Sequence, residues 1–344
     1  LKDEERTFLS SEATTPANRP YLRVVYRPHG GRLPPQPTPL VSLATYGDSR
    51  LPLSVSADLQ MAMAREISRR QPDLVMHLGD MVNYGRAYEE WERLRHELFA
   101  PYLAMPRPRG LSQCKPLASY EDPSRPDGAC DRGFFAVPGN HEYLSRESGT
   151  LGEGDIGPYL EFFAYLPNRG RNYSFNIMGE AFAAAPFTGI HVVALDSVPS
   201  EMDFATQTRL LSRDLQANQG KLILLFVHET LYSLGKYWES STLRTLYLPI
   251  LHRYPLALVT FSGHDHNYQR LQPPDDRITY IIAAGGGAPL YPQMITRPWP
   301  KAVHIAAYSF VYIQVYPDRI ELHAYKVEPT GEIWRMDWDV IPIS

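Results

Sequence analysis

The sequence has little cysteine, no long hydrophobic run and no excess of positive charge. Only two of its 344 residues are cysteine, too few for a cysteine-rich zinc site or a disulfide scaffold. The longest aliphatic and aromatic run, Leu222 to Val227, is far shorter than the ~20 residues that span a bilayer, so we expect no transmembrane segment. With 34 basic against 38 acidic residues, general nucleic-acid binding is not expected, although a local anion pocket is compatible with this balance.

Both cysteines, Cys114 and Cys130, lie in one polar, proline-rich stretch from Pro106 to Arg132. They are either two free thiols or a disulfide that closes this loop, and we favour the disulfide because neither has another partner. A disulfide implies an oxidising compartment. The chain also begins with Leu1 rather than Met, which suggests a processed precursor or a trimmed chain. From these two features we expect a secreted or periplasmic protein.

Length and composition predict a large folded domain. The chain is 44% hydrophobic and 12% aromatic, which excludes global disorder. Its length fits one large domain or two, but no repeat or linker divides it. We therefore predict an N-terminal arm over residues 1–39, with a strand at Tyr21–Tyr26, and a single domain over residues 40–344 with a loop insertion at 106–132.

Apolar runs of strand length alternate with segments of helical spacing over the first two thirds of the chain, and strands close it. The predicted strands are Val41–Tyr46, Leu74–Leu78, Phe134–Val137, Tyr173–Ile177, His191–Leu195, Leu222–Val227, Leu256–Phe261, Ile278–Ala284, Phe310–Val315, Ile320–Tyr325 and Ile333–Trp338. The predicted helices are Ser56–Arg70, Ala87–Phe99, Ala205–Asn218 and Ser241–Arg253.

Five of these strands end in residues that can bind metal ions. The residues are Asp48, Asp80, Asn140 with His141, His228, and His264 with His266. Ligands of open α/β sheets bind beyond the carboxyl ends of strands, so these side chains are expected to converge. Their oxygen and nitrogen atoms suit Zn, Mn or Fe, and six candidates besides His141 are enough for two ions. Each motif alone has an ordinary structural explanation, such as a Gly-Asp turn, but their joint occurrence favours a metal site.

The sequence resembles the calcineurin-like metallophosphoesterases, and within them a branch close to the purple acid phosphatases. The resemblance runs from Val41 to Tyr291 and is carried by five motifs. They are Gly47-Asp48, Gly79-Asp80, Gly139-Asn140-His141-Glu142, Val227-His228, and the run from Gly263 to Arg270, which is similar to Gly-His-x-His-x-Tyr-Glu-Arg. The resemblance implies a four-layer α/β/β/α sandwich, in which two mixed sheets are flanked by helices.

The resemblance also implies roles for these residues and two divalent or mixed-valence metal ions as cofactors, either Zn, Mn or Fe. Asp80 would bridge both ions, Asp48 and His266 would hold the first ion, and Asn140, His228 and His264 would hold the second. His141 would contact the phosphate and protonate the leaving group. Glu142 would orient His141.

The sequence departs from the family pattern in three places. Many members have Asp-x-His at the first motif, whereas this chain has Asp48-Ser49-Arg50. The purple branch has a tyrosine where this chain has Asn83, and Tyr84 follows one residue later. Gln269 replaces the glutamate of the last motif. The first ion therefore lacks one usual ligand; Tyr84, Asn83 or water completes the site, or the ion binds weakly. Because tyrosine ligation is not assured, ferric iron is not assumed.

Several residues near these motifs have two interpretations. Arg50 is either a bidentate clamp for a phosphate oxygen or a partner in a structural salt bridge, and for Arg270 we favour the salt bridge. The glycine run 285–287 is either a phosphate cradle or, as we favour, a plain turn. His304 either reaches the substrate or, as we favour, is a hydrogen-bonded packing histidine.

The function implied is metal-dependent hydrolysis of a small phosphorylated substrate. Two cations would neutralise the phosphoryl oxygens and activate a water for in-line attack, and His141 would assist the leaving group. We favour a phosphomonoesterase. The alternatives are a phosphodiesterase of the nucleotide, nucleic-acid or phospholipid type and a non-catalytic scaffold that retains the fold. No oligomeric state is assigned.

Overall fold

A computed structural model describes residues 37–50, 57–117, 130–152, 155–198, 203–237 and 239–343. The strand predicted at Tyr21–Tyr26 and nearly all of the predicted arm lie outside these residues, so the arm and its boundary stay predictions. Residues from Pro39 onward form one unit. Its strands are β1 Val41–Tyr46, β2 Leu74–His77, β3 Leu111–Pro116, β4 Phe134–Ala136, β5 Tyr173–Ile177, β6 Ile190–Ala194, β7 Leu222–Phe226, β8 Ala257–Ser262, β9 Tyr268–Leu271, β10 Thr279–Ala283, β11 Val303–Ile305, β12 Ser309–Val315, β13 Arg319–Val327 and β14 Ile333–Pro342.

The described helices flank these strands. They are α1 Ala57–Arg69, α2 Tyr88–Arg93, α3 Ala100–Leu103, α4 Asn140–Tyr143, α5 Gly157–Phe162, α6 Phe204–Ala217 and α7 Ser241–Leu251. A π-helical turn, Leu94–Leu98, follows α2, and 3₁₀ turns lie at Pro167–Gly170 and Glu180–Phe182. None of the helices in the described ranges is both long and apolar enough to cross a membrane.

Two mixed sheets form the centre of the fold. The six-stranded sheet has the order β14-β13-β12-β1-β2-β4, and the eight-stranded sheet has the order β11-β9-β10-β8-β7-β6-β5-β3. In the first sheet β1, β2 and β4 are parallel. In the second, β6, β7, β8 and β10 are parallel. Two mixed sheets flanked by helices confirm the fold that the resemblance implied.

The parallel strands are short, apolar and buried on both faces, as expected when helices or a second sheet cover each side. β7, with the sequence LILLF, is buried along its whole length. Helix α1 covers the sheet through Leu59, Met63 and Ile67, which recur at helical spacing and are buried. Helix α6 begins after Asp203, whose carboxylate accepts hydrogen bonds from the backbone N–H groups of Ala205 and Thr206.

The structure corrects the predicted loop at 106–132. Its first part contains β3, which pairs antiparallel with β5 and so belongs to the second sheet. Cys114 on this strand forms a disulfide with Cys130, which confirms the predicted bond. The strand was missed because its sequence, LSQCKP, is polar and ends in proline, a pattern more typical of a loop.

Two other short strands were missed, and one helix is shorter than predicted. β9 lies within the last metal-binding motif and β11 within a proline-rich segment, so neither has a clear apolar run. The helix predicted at Ala87–Phe99 divides into α2 and the π-helical turn. The other predicted strands and helices that fall within the described residues are present, with ends shifted by a few residues.

Candidate metal centre

The predicted ligands lie just beyond the carboxyl ends of parallel strands in both sheets. Asp48 follows β1, Asp80 follows β2 and Asn140 follows β4 in the first sheet. His228 and His264 follow β7 and β8 in the second sheet. The contacts between them show that the two sheet edges meet, because the Nε2 atom of His228 lies 3.4 Å from the Oδ1 atom of Asp80.

Three of these residues adopt the left-handed backbone conformation, which is uncommon for residues other than glycine. Their φ angles are 61° at Asp48, 56° at Asp80 and 69° at His264. Backbone hydrogen bonds to the segments that follow β2 and β10 hold the first of them in place. The N–H of Asp48 donates to the Gly79 carbonyl at 2.9 Å, and its carbonyl accepts from Ala288 at 2.8 Å. Such strain persists where the surroundings determine it, and it is typical of functional sites.

One part of the centre is the group formed by Asp48, Asp80 and His266. Their ligand atoms all lie within 4.8 Å of one another, and all three residues are buried. The Nε2 atom of His266 is 3.4 Å from Asp48 Oδ1. Its Nδ1 donates to the Pro289 carbonyl at 2.8 Å, which leaves the Nε2 lone pair directed at the carboxylates.

The other part surrounds the Nε2 atom of His228. Asn140 Oδ1 lies at 3.1 Å from it, His264 Nδ1 at 3.2 Å and Asp80 Oδ1 at 3.4 Å. The Nδ1 atom of His228 donates to the Leu78 carbonyl at 2.7 Å, so Nε2 presents a lone pair to other acceptors. Ligands about 2.1 Å from one tetrahedral ion lie about 3.4 Å from each other, and these spacings agree with that value. The donor set therefore fits a cation.

The electrostatics of the buried centre also favour a cation. Burial alone would lower the pKa of His228, but the charges of Asp80 and Asp48 outweigh it and raise that pKa. Burial, together with the His228 charge, lowers the pKa of His264 to about 3. The low pKa of His264 keeps its imidazole neutral, which is the form in which histidine binds a metal ion.

His141 reaches the centre from the first turn of α4. Its side chain is 14% exposed, and its Nε2 atom is 3.7 Å from Asp80 Oδ2. Its Nδ1 contacts the Asn83 carbonyl at 2.8 Å. No hydrogen bond between Glu142 and the His141 side chain is found among the described residues, and its role in orienting His141 stays a prediction. Glu142 instead accepts hydrogen bonds from the backbone N–H groups of Gly139, Asp80 and Met81 at 2.6–2.8 Å, which ties the Asp80 turn to α4.

The two candidates for the missing ligand differ in their surroundings. Asn83 is buried, and its side-chain Nδ2 lies 3.4 Å from Glu90 Oε2. Its backbone carbonyl contacts Nδ1 of His141 at 2.8 Å. Tyr84 is only partly buried. A ligand role for either residue stays a prediction.

Arg50 lies among the residues of the first group. Its Nε atom is buried without a hydrogen-bond partner, and it forms no ion pair with a described residue. Burial is the largest cause of three pKa shifts: it raises the pKa of Asp48 and lowers those of His141 and His266. The positive charge of Arg50 lowers all three pKa values. The structural salt bridge considered for Arg50 is therefore absent from the described part of the chain.

Arg270 forms the predicted structural ion pair. Its guanidinium donates to both carboxylate oxygens of Asp337, at 2.7 and 3.0 Å, and lies 3.4 Å from Asp339. These contacts join β9 of one sheet to β14 of the other. His304 keeps both interpretations, packing or contact with the substrate, as predictions. It lies on the edge strand β11, and its buried Nε2 has no partner among the described residues.

The glycine run is a packing element, as favoured. A Cβ atom at Gly286 would lie 2.3 Å from the Gly47 carbonyl oxygen, and one at Gly287 would lie 2.2 Å from the Gln60 side chain. The Gly286 N–H donates to Gly47 at 2.9 Å. The run therefore brings the end of β10 against the turn that carries Asp48.

Gln269, the third departure from the family pattern, has a structural explanation. Its Nε2 group lies within hydrogen-bond distance of Asp265 Oδ2 at 3.0 Å and Asn267 Oδ1 at 2.9 Å. Its Oε1 accepts from the Leu234 N–H at 2.7 Å. An ionised glutamate cannot donate to Asp265, so glutamine is the residue that suits this buried site. The network attaches the loop around Leu234 to the segment between His264 and His266.

Sequence reasoning missed residues that support the ligands. Ser197 Oγ accepts from the backbone N–H groups of His228 and Glu229, at 3.0 and 2.8 Å. Asp196 accepts from Arg171 at 2.8 Å and from the Tyr143 hydroxyl at the end of α4. The signal was available, because Asp196-Ser197 follows the apolar strand β6 just as the recognised motifs follow theirs.

Two tyrosines line the imidazole ligands and were also missed. The Tyr291 ring stacks on His266 with 4.3 Å between ring centroids, and the Tyr237 ring lies 4.5 Å from that of His264. The exposed Lys236 has its Nζ 4.2 Å from the centre of the Tyr291 ring. Because both tyrosines lie in irregular segments, no hydrophobic periodicity pointed to them.

The comparisons with known proteins identify a family and a fold. The family model for calcineurin-like phosphoesterases matches residues 55–268, and no curated protein matches the chain. Three solved structures share the fold at low identity. The anchor in the inner membrane complex of Plasmodium has a TM-score of 0.58 at 13% identity, over 88% of this chain and 89% of its own. A purple acid phosphatase from yellow lupin (Lupinus luteus) seeds has a TM-score of 0.59 at 16% identity, over 89% of this chain and 55% of its own. A dimetal phosphatase from Danio rerio has a TM-score of 0.53 at 14% identity, over 89% of this chain and 100% of its own.

Proposed function

Because the chain belongs to the calcineurin-like phosphoesterase family, we propose that it is a metal-dependent hydrolase of phosphate esters that acts on monoesters. The observation that carries the proposal is the arrangement around His228, where Asn140, His264 and Asp80 all place a ligand atom within 3.4 Å of Nε2. Buried ligand atoms gathered in this way suit a shared metal cation.

The residues divide between two ions. Asp48 and His266 would hold the first ion, Asn140, His228 and His264 the second, and Asp80 would be shared. Bound Zn, Mn or Fe ions would supply positive charge for the phosphoryl oxygens and lower the pKa of a water molecule. The nitrogen and oxygen donors suit each of these metals.

His141 would protonate the leaving group. The contact of its Nδ1 with the Asn83 carbonyl fixes the ring and leaves Nε2 facing the mouth of the centre. Burial lowers the pKa of His141, while the Asp80 carboxylate opposes that shift. In its imidazolium form, Nε2 would hydrogen-bond the ester oxygen and give it a proton as the bond to phosphorus breaks.

Arg50 supports a preference for monoesters. Its guanidinium lacks a carboxylate partner among the described residues, so its fork of donors is available for phosphate oxygens. A phosphate monoester carries about two negative charges at neutral pH because its second pKa is about 6, whereas a diester carries one. A third cation beside two metal ions therefore favours the monoester.

A substrate comparison tests this proposal. We expect the metal-loaded protein to hydrolyse nitrophenyl phosphate with a kcat/KM at least ~10-fold above that for bis(nitrophenyl) phosphate, which is ~1.4 kcal/mol in transition-state stabilisation. Arg50→Gln is expected to reduce the value for the monoester more than that for the diester. The surface variant Arg69→Gln is the matched control. A higher kcat/KM for the bis-ester would show that the protein is a diesterase.

A non-catalytic scaffold is the other candidate, because one structure of this fold belongs to an anchor protein. The six donor residues gathered in the centre favour the enzyme. The disulfide further supports our expectation that the protein works in an oxidising compartment, secreted or periplasmic. A purified protein with fewer than about one metal ion per chain would favour the scaffold.

A further inference from the structure

The two halves of the metal centre are unequal in their donors. Around His228 the chain offers four residues, namely Asp80, Asn140, His228 and His264. The other half offers three, Asp48, Asp80 and His266. Asp48 is also engaged, because both of its carboxylate oxygens accept from the His264 N–H at 3.0 and 3.2 Å.

A positive charge lies on the side with fewer donors. Arg50 follows Asp48 by two residues, and its N–H donates to the Asp80 carbonyl at 3.1 Å. The Nε atom of its side chain is buried without a hydrogen-bond partner among the described residues. A guanidinium remains protonated at every physiological pH, so a cation that enters this half is repelled whatever the conditions.

The backbone holds Arg50 in this place at a conformational cost. Its φ angle is 40°, in the left-handed region, and its N–H donates to the Asp80 carbonyl at 3.1 Å. The preceding residue is fixed as well, since the Ser49 carbonyl accepts from Gln60 at 2.6 Å and its hydroxyl contacts His77 at 3.2 Å. A strained residue held by several contacts is typical of a functional position.

We propose that Arg50 makes the metal centre asymmetric. The half built on Asn140, His228 and His264 retains its ion, whereas the half built on Asp48 and His266 binds an ion weakly. Arg50 then supplies, for the phosphoryl group, part of the positive charge that a tightly held first ion would give. This inference rests on the proposed function for its phosphoryl ligand, but the difference in metal affinity does not depend on activity.

Metal counting tests the asymmetry directly. Metal-free wild-type protein is titrated with Zn²⁺ by calorimetry, and the ions that survive gel filtration are counted. We expect one retained ion and a second whose Kd is at least ~100-fold larger, the size of effect that changes next to a metal produce. Arg50→His replaces the cation with a nitrogen ligand, so this variant is expected to retain two ions. Arg69→His, an exposed change on α1, is expected to behave as wild type.

Two results would overturn the proposal. One is a wild-type protein that binds two ions with similar affinity. The other is an Arg50→His variant that has native circular dichroism and still retains one ion. A third variant, Asn140→Ala, identifies the tight half, because it is expected to lose the retained ion; if it kept that ion, the assignment of the tight half would be wrong.

Failure of the proposed function can be distinguished from failure of the asymmetry. If wild type retains one ion and Arg50→His retains two but neither hydrolyses phosphate esters, the asymmetry stands and the hydrolase proposal does not. If neither protein binds Zn²⁺, both are wrong.

Discussion

Two of the buried polar clusters in the described part of the chain are each centred on a buried histidine. In one, His191 has Nδ1 2.7 Å from Asn176 Oδ1 and Nε2 2.7 Å from Asp214 Oδ2. Lys115 lies 2.9 Å from the other oxygen of that carboxylate. In the other cluster, His228 turns its Nε2 to Asp80, Asn140 and His264.

The two clusters differ in whether contacts within the protein satisfy all of their polar atoms. His191 contacts an oxygen atom through each ring nitrogen, and Asp214 contacts both His191 and Lys115, so the protein completes this cluster itself. The three atoms around His228 Nε2 are all potential metal ligands, and a bound cation would complete that cluster. A buried polar cluster is therefore a candidate metal site when its lone pairs converge, and burial of histidine alone does not make one.

The largest effect is expected from His228→Ala. Because it removes the ligand around which three others gather, kcat/KM for nitrophenyl phosphate should fall at least ~1,000-fold, which corresponds to the several kcal/mol that a catalytic metal supplies. The metal-free variant should keep a native circular dichroism spectrum. Activity within ~10-fold of wild type would remove His228 from the metal centre.

His191→Ala is the matched change in the other cluster. It deprives the buried Asp214 of one of its two side-chain partners, His191 and Lys115, so the free energy of unfolding should fall by about 3 kcal/mol. The folded fraction should retain wild-type kcat. Denaturant unfolding and steady-state kinetics check both expectations, and a large loss of kcat without loss of stability would reverse the roles assigned to the two clusters.

Gln269→Glu tests the packing beside the metal centre. The new carboxylate would face that of Asp265, now 3.0 Å from the glutamine amide, so the free energy of unfolding should fall by about 2 kcal/mol. The surface change Gln293→Glu is the control. Unchanged thermal stability of Gln269→Glu would show that the hydrogen bonds to Asp265 contribute nothing.

The smallest effect is a pH dependence of stability. Burial would raise the pKa of Asp214, but His191 and Lys115 outweigh it and hold the pKa below its usual range. A carboxyl whose pKa is lower in the folded state stabilises the fold above its unfolded pKa of about 3.9 and loses this contribution as the pH falls through the folded value. Unfolding of wild type and Asp214→Asn should therefore converge in stability below about pH 4, and a constant difference down to about pH 2 would contradict the pairing.

Much of the centre was predictable because its ligands follow strands. Asp48, Asp80, Asn140 and His228 each end a short apolar run, and such runs are recognisable in one sequence. The hydrogen-bond partners of Glu142 were not predictable, because a buried carboxylate can accept either from a side chain or from nearby backbone N–H groups. The fold of the turn at Gly139 determines which of these donors reach it. Ser197 was predictable from its place after an apolar strand, but a serine in a turn is by itself an ordinary structural residue.

The sheet order and the departures from the family pattern needed the structure. β3 is held in the second sheet by pairing with distant residues, although its local sequence resembles a loop. Gln269 and the glycine at position 286 are explained by neighbours far away in sequence. Arg50 was ambiguous between a salt bridge and a free cation until its surroundings were described.

Removal and return of metal tests the central claim most directly. The rate of nitrophenyl phosphate hydrolysis is measured for the purified protein, after chelation and dialysis, and after Zn²⁺ or Mn²⁺ is added back. We predict a loss of at least ~1,000-fold on chelation and recovery on addition of metal. An unchanged rate in the metal-free protein would contradict the assignment of this centre as a metal-dependent phosphoester hydrolase.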